Sequence, residues 1–302
     1  MPIPVWLDTD IGTDVDDAVA LALALRSPEI ELVGVSTVYG DVDLRSRMVL
    51  KLLQLAGRGD IPVYSGASQP LMRERAVYWG GWEGEGLLGE EDRSLAPRQE
   101  HAVLALTRAA NDRPGEISLA TIGPMTNVSL AFALDPELAG KLRRLVVMGG
   151  VARTGPQGLG LPIAEHNLAC DPEAASLCFR SGAEMAMVGL DVTTQVWVDR
   201  TGMERIRRSG GPLGQAVAGQ LERYLAIRKR ERTMMHDPLA LSYLIRPEFL
   251  ELVPAEVQIE TRSELASGAT WVRRTDESRT RVAVGVDARG FEAFLLERLS
   301  RE

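Results

Sequence analysis

Five aspartates stand within ten residues near the start of the chain. They follow the apolar residues 5–7 and precede a second apolar run, residues 18–25. The five are Asp8, Asp10, Asp14, Asp16 and Asp17. Two unit charges about 4 Å apart repel each other by roughly 4 kcal/mol at an effective dielectric constant near 20. No Lys or Arg precedes Arg26, so the cluster predicts a bound cation that neutralises it.

A structural explanation accounts for part of this cluster. Aspartate and threonine are common N-caps, and Thr13 or Asp14 is a candidate for starting the helix predicted over residues 18–25. Capping explains one or two of the aspartates but not Asp8 and Asp10, which end the predicted strand. Because ligands of α/β proteins bind at the carboxyl ends of strands, the sequence favours a functional site.

Other polar side chains follow the remaining predicted strands or begin a helix. These are Asp41, Asn127, Glu165, Asn167, Asp191, His236 and Asp237. This set offers mainly oxygen ligands, with no Cys and one His, and such ligands favour Ca²⁺ or Mg²⁺ over zinc. We hypothesise that a cation held by Asp10 and Asp17 lowers the pKa of a bound water and that a neighbouring carboxylate takes its proton. Glu165, Asn167 and Asp16 are then left to bind a polyhydroxylated substrate.

Most of these signals also have a structural explanation. Asp237 is equally suited to cap a helix, His236 alone is more often structural than catalytic, and Asn127 is predicted to brace its turn. Trp79 and Trp82 differ from them, because two tryptophans at a glycine-rich and therefore mobile loop are poor candidates for the core. A flat ring such as a nucleobase would stack on them.

Strand-like and helix-like segments alternate along the chain, which predicts an α/β fold. We expect a mostly parallel, Rossmann-like central sheet with helices on both faces. Residues 255–286 predict a small antiparallel addition at the C-terminal end. The length suits one domain over residues 1–302. The basic residues 228–232 are interpreted as the exposed end of a helix.

The composition excludes several classes of function. Hydrophobic residues make up 45% of the 302, and the net charge of −8 argues against binding nucleic acid through its phosphates. No apolar stretch approaches 18 residues, so no membrane span is expected. The two cysteines, Cys170 and Cys178, form no zinc pattern and suit a reducing compartment. With no secretory leader visible, we expect a cytoplasmic protein.

Five segments, in order over nearly the whole chain, resemble the nucleoside hydrolases, the inosine-uridine-preferring N-ribohydrolase family. The aspartate cluster is the most specific of them. The segments are residues 8–12 with 16–18, 123–127, 147–150, 165–167 with 171–175, and 236–238. The resemblance implies a Ca²⁺-dependent hydrolase that splits a small nucleoside into base and ribose for purine or pyrimidine salvage. It also implies a homodimer or homotetramer.

The resemblance implies a role for each matching residue. Asp10 corresponds to the general base, which also binds calcium. Asp17, Asp237 and the backbone carbonyl of Ile122 correspond to the other calcium ligands, and Asp237 also touches the ribose. His236 corresponds to the candidate acid for the leaving base in one subgroup. The remaining substrate binders are Asp16 and Asn167 at the 2′- and 3′-hydroxyls, and Glu165 at the 5′ end.

Two departures from the family pattern concern the ribose side of the site. Thr13, Asp14 and Val15 stand where one residue is usual, so Asp14 is additional and has no assigned role. Leu159 stands where an asparagine commonly precedes Glu-x-Asn. This departure puts the usual 5′-hydroxyl contact in question and makes a modified 5′ position on the substrate conceivable.

Two further departures concern the base. Asp41 follows Gly40 where many members have asparagine, and Trp82 takes the place of a loop histidine. We predict that Asp41 and Trp82 bind substrate. Together they resemble the purine-preferring subgroup, whereas His236 resembles the other subgroup, and base preference therefore stays open.

Two alternative functions remain from the sequence. Asp8 and Asp10 after a strand also resemble the nucleophile motif of a haloacid-dehalogenase-type phosphohydrolase, although that motif needs Thr or Val where Gly12 stands. A non-catalytic nucleoside- or sugar-binding protein is the second alternative, which Leu159 and Asp41 keep open. Release of phosphate from nucleotides would indicate the phosphohydrolase, and release of ribose would indicate the nucleoside hydrolase. Binding without turnover would indicate the binding protein.

Overall fold

The computed structural model describes residues 1–153 and 160–301. The strands in this part of the chain are β1 (Ile3–Thr9), β2 (Ile30–Thr37), β3 (Val63–Ser65), β4 (Ser118–Thr121), β5 (Arg144–Met148), β6 (Met185–Val188), β7 (Trp197–Asp199), β8 (Arg232–Met234), β9 (Leu250–Ile259), β10 (Thr270–Arg274) and β11 (Thr280–Val286). The helices are α1 (Asp16–Leu25), α2 (Val42–Leu55), α3 (Ala102–Asp112), α4 (Thr126–Leu134), α5 (Leu138–Lys141), α6 (His166–Cys170), α7 (Pro172–Phe179), α8 (Leu190–Thr193), α9 (Arg200–Ser209), α10 (Gly211–Arg228), α11 (His236–Ser242) and α12 (Ala288–Leu299), with 3₁₀ turns at Glu90–Ser94 and Pro247–Phe249.

One nine-stranded sheet runs in the order β10-β9-β11-β6-β5-β4-β1-β2-β3. The seven strands from β11 to β3 pair in parallel, and β9 and β10 add to the β11 edge in antiparallel fashion. Strands β7 and β8 form a separate antiparallel pair. The predicted Rossmann-like α/β fold with an antiparallel C-terminal addition is confirmed.

The order of the strands reverses between β1 and β4. Strand β1 pairs with β2 on one side and with β4 on the other, and the chain then proceeds outward from each. The carboxyl ends of two such strands open a crevice, because their following segments diverge to opposite sides. Asp10 follows β1 and Ile122 follows β4, so both lie at this crevice.

Each face of the sheet is covered by its own apolar layer. Val5 and Leu7 face the layer that includes α1, α10, α11 and α12, and Trp6 faces the layer of α3, α4 and α7. Helix α1 lies within the first layer and contacts α11 and α10. It is therefore buried on all sides, as its uniformly apolar sequence predicts.

Helix α11 begins at His236, as predicted, but the N-cap roles considered for Thr13 or Asp14 and for Asp237 are wrong. Helix α1 begins at Asp16, and its N-cap position is Val15, which makes no capping hydrogen bond through its side chain. Asp237 lies within the first turn of α11 and does not cap it, since the N-cap position is Met235. The carboxylates at both helix starts thus remain available for another role.

Within the described residues no helix is long and apolar enough to cross a membrane. Cys170 and Cys178 are both unpaired thiols.

Candidate active site

Three buried carboxylates converge at the carboxyl edge of the sheet. Asp16 and Asp17 open α1, Asp237 lies in the first turn of α11, and one oxygen from each lies within 4.8 Å of the others. The packing of α1 against α11 brings them together. The amide of Asp237 donates to Oδ2 of Asp16 at 3.2 Å, and the hydroxyl of Thr9 donates to Oδ1 of Asp17 at 2.5 Å.

The electrostatics of this group favour a cation. Burial raises the pKa of Asp16, Asp17 and Asp237 well above the usual value of 3.8, and the charges of neighbouring aspartates raise them further. A bound cation reverses both effects, because it replaces lost solvation and attracts each carboxylate. An all-oxygen set of donors fits a hard divalent ion such as Ca²⁺ or Mg²⁺. The residues present therefore fit a metal ion.

Asp10 lines the same cavity but is not one of the three converging carboxylates. Burial raises the pKa of Asp10, and the positive charge of Arg45 opposes that rise. Arg45 is fully buried and donates to the carbonyls of Asp10, Ile11 and Tyr39. An added Cβ at Gly123 would lie 2.7 Å from Oδ1 of Asp10, so only glycine fits there.

Asp8 does not line this cavity. Its carboxylate is fully buried and accepts hydrogen bonds from Ser36, Asn127 and Thr121. Burial raises the pKa of Asp8 to about 7, against the lowering effect of the Asn127 and Ser36 hydrogen bonds. Asn127 also bonds the backbone at Thr37 and Ala67, which agrees with its predicted bracing role. Asp8 thus ties β1 to its neighbours.

Glu165 and Asn167 form a second polar wall of the cavity. Glu165 caps α6 and accepts from the amides of Asn167, Leu168 and Gly150. Nδ2 of Asn167 donates to the Ile122 carbonyl at 2.9 Å and to the Met148 carbonyl at 3.1 Å. These bonds orient the side chain of Asn167 and link it to the predicted calcium-binding carbonyl.

His236 lies on the cavity wall beside Asp237. Its Nδ1 lies 2.7 Å from the hydroxyl of Thr193, and burial lowers the pKa of His236 to about 4. The imidazole is therefore neutral at pH 7, and one ring nitrogen is engaged by Thr193. In this state His236 can donate one proton from the ring but carries no positive charge.

Asp41 is not brought into this cavity. It is exposed and caps α2 by accepting from the amide of Leu44 at 2.8 Å. Asp41 therefore acts as the N-cap of α2 in this structure. Leu159 lies outside the described residues.

Trp82 does not line this cavity either. Its Nε1 donates to the Thr13 carbonyl at 3.1 Å, and the guanidinium of Arg228 lies 5.2 Å from its ring centre. Glu83 accepts from Thr13 and from the amides of Gly80 and Gly81. The glycine-rich loop is thus hydrogen-bonded to the aspartate segment, a restraint that its composition does not indicate.

Several residues of the cavity escape the sequence patterns. The cavity has a volume of about 550 Å³ and is also lined by Tyr78, His166 and Arg228. Arg228 is exposed and ends α10, as the interpretation of residues 228–232 as an exposed helix end predicts, and it lines the cavity as well. His166 lies 3.5 Å from the Cys170 sulfur through Nε2, a contact that raises the pKa of His166 to about 9. The basic run at 228–232 is the one signal that marks Arg228 in the sequence.

The family model for "Inosine-uridine preferring nucleoside hydrolase" matches residues 5–293. The chain belongs to this family. As a nucleoside hydrolase it cleaves the N-glycosidic bond of nucleosides, and neither the phosphohydrolase nor the binding-protein alternative is supported. A relative from Citrobacter koseri, the pyrimidine-specific ribonucleoside hydrolase RihA, is 36% identical over 99% of both chains.

Two solved structures resemble this nucleoside hydrolase over almost its whole length. The plant nucleoside hydrolase PpNRh1 has a TM-score of 0.85 at 30% identity and covers 100% of both chains. The purine-preferring ribonucleoside hydrolase from Gardnerella vaginalis has a TM-score of 0.87 at 27% identity and covers 98% of both.

Proposed function

We propose that this nucleoside hydrolase uses Ca²⁺ to hydrolyse ribonucleosides to free base and ribose, with Asp10 as the general base. The convergence of Asp16, Asp17 and Asp237 at one buried point, beside Asp10, is the observation that carries the proposal. Asp10, Asp17, Asp237 and the Ile122 carbonyl would hold the cation. When bound, the cation lowers the pKa of water at the site.

The substrate is held by oxygens around the ribose. Asp16 and Asn167 accept from or donate to the 2′- and 3′-hydroxyls, Asp237 contacts the ribose, and Glu165 binds its 5′ end. The backbone bonds of Glu165 and Asn167 fix both side chains before substrate arrives, so little ordering is left to binding. Asp10 then takes the proton of the attacking water.

Bond cleavage places positive charge on the ribose. The C1′–N bond breaks with its electron pair on the base, and the ribose becomes oxocarbenium-like, as in glycoside hydrolysis generally. Carboxylates on the surrounding walls stabilise that charge. His236 is the candidate proton donor to the departing base, acting from its neutral imidazole.

The relatives give two leads on the base. The pyrimidine-specific relative is 36% identical, whereas the purine-preferring structure is 27% identical. The higher identity supports uridine and cytidine as the first substrates to test. Inosine and adenosine complete the panel.

Asp10→Ala tests the role of the base. We expect loss of ribose release and weaker calcium binding, because the variant lacks both a proton acceptor and a ligand. Asp60→Ala is a matched control, since Asp60 is exposed and forms a surface ion pair with Arg58. An Asp10→Ala protein that binds calcium and turns over at the wild-type rate would refute the assignment.

Three further proposals concern the whole protein. We propose one domain over residues 1–302, because β9–β11 continue the sheet formed by β1–β6. We also propose a homodimer or homotetramer, which light scattering tests. A cytoplasmic location is supported by the two unpaired cysteines.

A further inference from the structure

The charges around the catalytic cavity are unequal. Among the described residues that line it, Arg228 is the single Lys or Arg side chain. The carboxylates that line it are Asp10, Asp14, Asp16, Asp17, Glu165 and Asp237. Such a wall stabilises positive charge on the ribose, but it disfavours any negative charge that forms beside it. His166, whose pKa is raised to about 9, is the second positive side chain at pH 7. Arg228 and His166 therefore lie where five aspartates and a glutamate would otherwise oppose an anion.

Arg228 is held by aromatic rings. It is the last residue of α10, and its guanidinium carbon lies 5.2 Å from the ring centre of Trp82 and 5.4 Å from that of Tyr224. Tyr224 is one helical turn earlier, so both contacts come from positions that the fold fixes. No carboxylate of the described residues comes within 4.0 Å of the guanidinium, whereas Arg223 on the same helix pairs with Glu85. Against the lowering effect of partial desolvation, a hydrogen bond to the Tyr224 hydroxyl raises the pKa of Arg228, so the side chain keeps its charge and its remaining N–H groups can bind a ligand.

The reaction generates the charge that such a group recognises. Water gives a proton to Asp10, its oxygen bonds to C1′, and the C1′–N electron pair passes to the base. The base then carries negative charge over its ring nitrogens and carbonyl oxygens until it is protonated, with His236 as the candidate donor. Ribose and neutral base are the products, so the atoms and electrons balance.

A guanidinium suits this leaving group better than an ammonium does. It is planar, presents several N–H donors in a fixed fork, and binds adjacent acceptors on a flat ring in two-point fashion. Its two aromatic neighbours attract its positive charge through their ring faces.

We propose that Arg228 binds the nucleobase and stabilises the negative charge that the base acquires as the C1′–N bond breaks. This inference rests on the proposed function, because it assigns the leaving-group half of the same reaction. Arg228 is thus a catalytic residue that acts on the base, opposite the carboxylates that act on the ribose.

The test compares two substrates that differ in how much help the leaving group needs. Uridine releases uracil, a poor anionic leaving group, whereas 4-nitrophenyl β-D-ribofuranoside releases a stable phenolate. For Arg228→Met we expect kcat/KM on uridine to fall roughly 10- to 100-fold, the range for losing a charge-assisted hydrogen bond. Activity on the nitrophenyl riboside should change by no more than about threefold. Arg228→Lys should recover part of the uridine activity, and millimolar guanidinium should partly rescue Arg228→Ala.

Arg230→Met is the matched control, because Arg230 is exposed two residues further on and does not line the cavity. Equal losses on both substrates, or no loss on uridine, would overturn the role of Arg228 and leave the proposed function standing. No calcium-dependent turnover of either substrate by the wild type would overturn the proposed function and this inference together. Melting temperatures of all variants identify any loss of folding.

Discussion

Replacing Asp17 by Asn should make the metal-free protein more stable. Asp17 has two carboxylate neighbours, Asp16 and Asp237, with oxygens within 4.8 Å. A pair of unit charges at that distance repels by about 3 kcal/mol at an effective dielectric constant of 20. Protons relieve part of this cost, so we expect a gain of roughly 1–3 kcal/mol in the free energy of unfolding at pH 8. The asparagine oxygen can still accept from Thr9.

The gain should depend on pH. The pKa values of Asp16, Asp17 and Asp237 are raised in the folded state above the usual 3.8, so the folded protein binds more protons than the unfolded one. The contribution of these three carboxylates to the stability of the metal-free wild type is therefore fully present below pH 3.8 and is lost as the pH rises through their higher folded-state values. The difference between wild type and Asp17→Asn should widen from pH 5 to pH 8.

Calcium should reverse the order of stability. A ligand at 100 times its dissociation constant stabilises the folded state by about 2.7 kcal/mol, and Asp17→Asn should lose most of that gain because it lacks one ligand. The assay is thermal unfolding in chelator and in a calcium titration, at both pH values. Asp14→Asn is the control, since it removes a charge from the same loop but not from the converging group. The reasoning would be refuted if Asp17→Asn were less stable than wild type in chelator and were stabilised by calcium as much as wild type is.

Three further substitutions separate structural from functional roles. Arg45→Met should lower the free energy of unfolding by about 3–5 kcal/mol, because it leaves buried carbonyls without a donor. Arg47→Met on the same helix should change that free energy little. Equal denaturant midpoints for the two variants would contradict this prediction. Asp41→Ala should lower the free energy of unfolding by about 1 kcal/mol, because α2 loses its N-cap, and should leave KM unchanged. A raised KM would instead support the predicted role of Asp41 in substrate binding. Trp82→Ala should raise KM by freeing Arg228, and an unchanged KM would place the tryptophan outside base recognition.

The local parts of the site are readable from the sequence. Asp10, Asp16 and Asp17 lie in one short segment, and the strand before them and the buried helix after them fix where they must point. Parallel strands place Glu165 and Asn167 at the same edge. These predictions need only neighbouring residues and the order of the elements.

The remaining parts depend on packing between distant elements. Arg228 reaches the cavity because α10 packs on α1, and a basic helix end looks the same in sequence whether it faces solvent or a cavity. Arg45 is charged yet fully buried, which no hydropathy pattern indicates. Asp41 and Asp237 both precede or begin helices, but the first caps its helix and the second does not. Which residue occupies the N-cap position depends on the backbone conformation at the helix start, which the residue type alone does not fix.

Release of reducing sugar from a panel of nucleosides, with calcium and then with chelator, tests the central claim most directly. The account predicts ribose release from at least one nucleoside, its loss on chelation and its return when calcium is restored. Ribose release at an unchanged rate in chelator would contradict the account, because the buried carboxylates would then act without a cation.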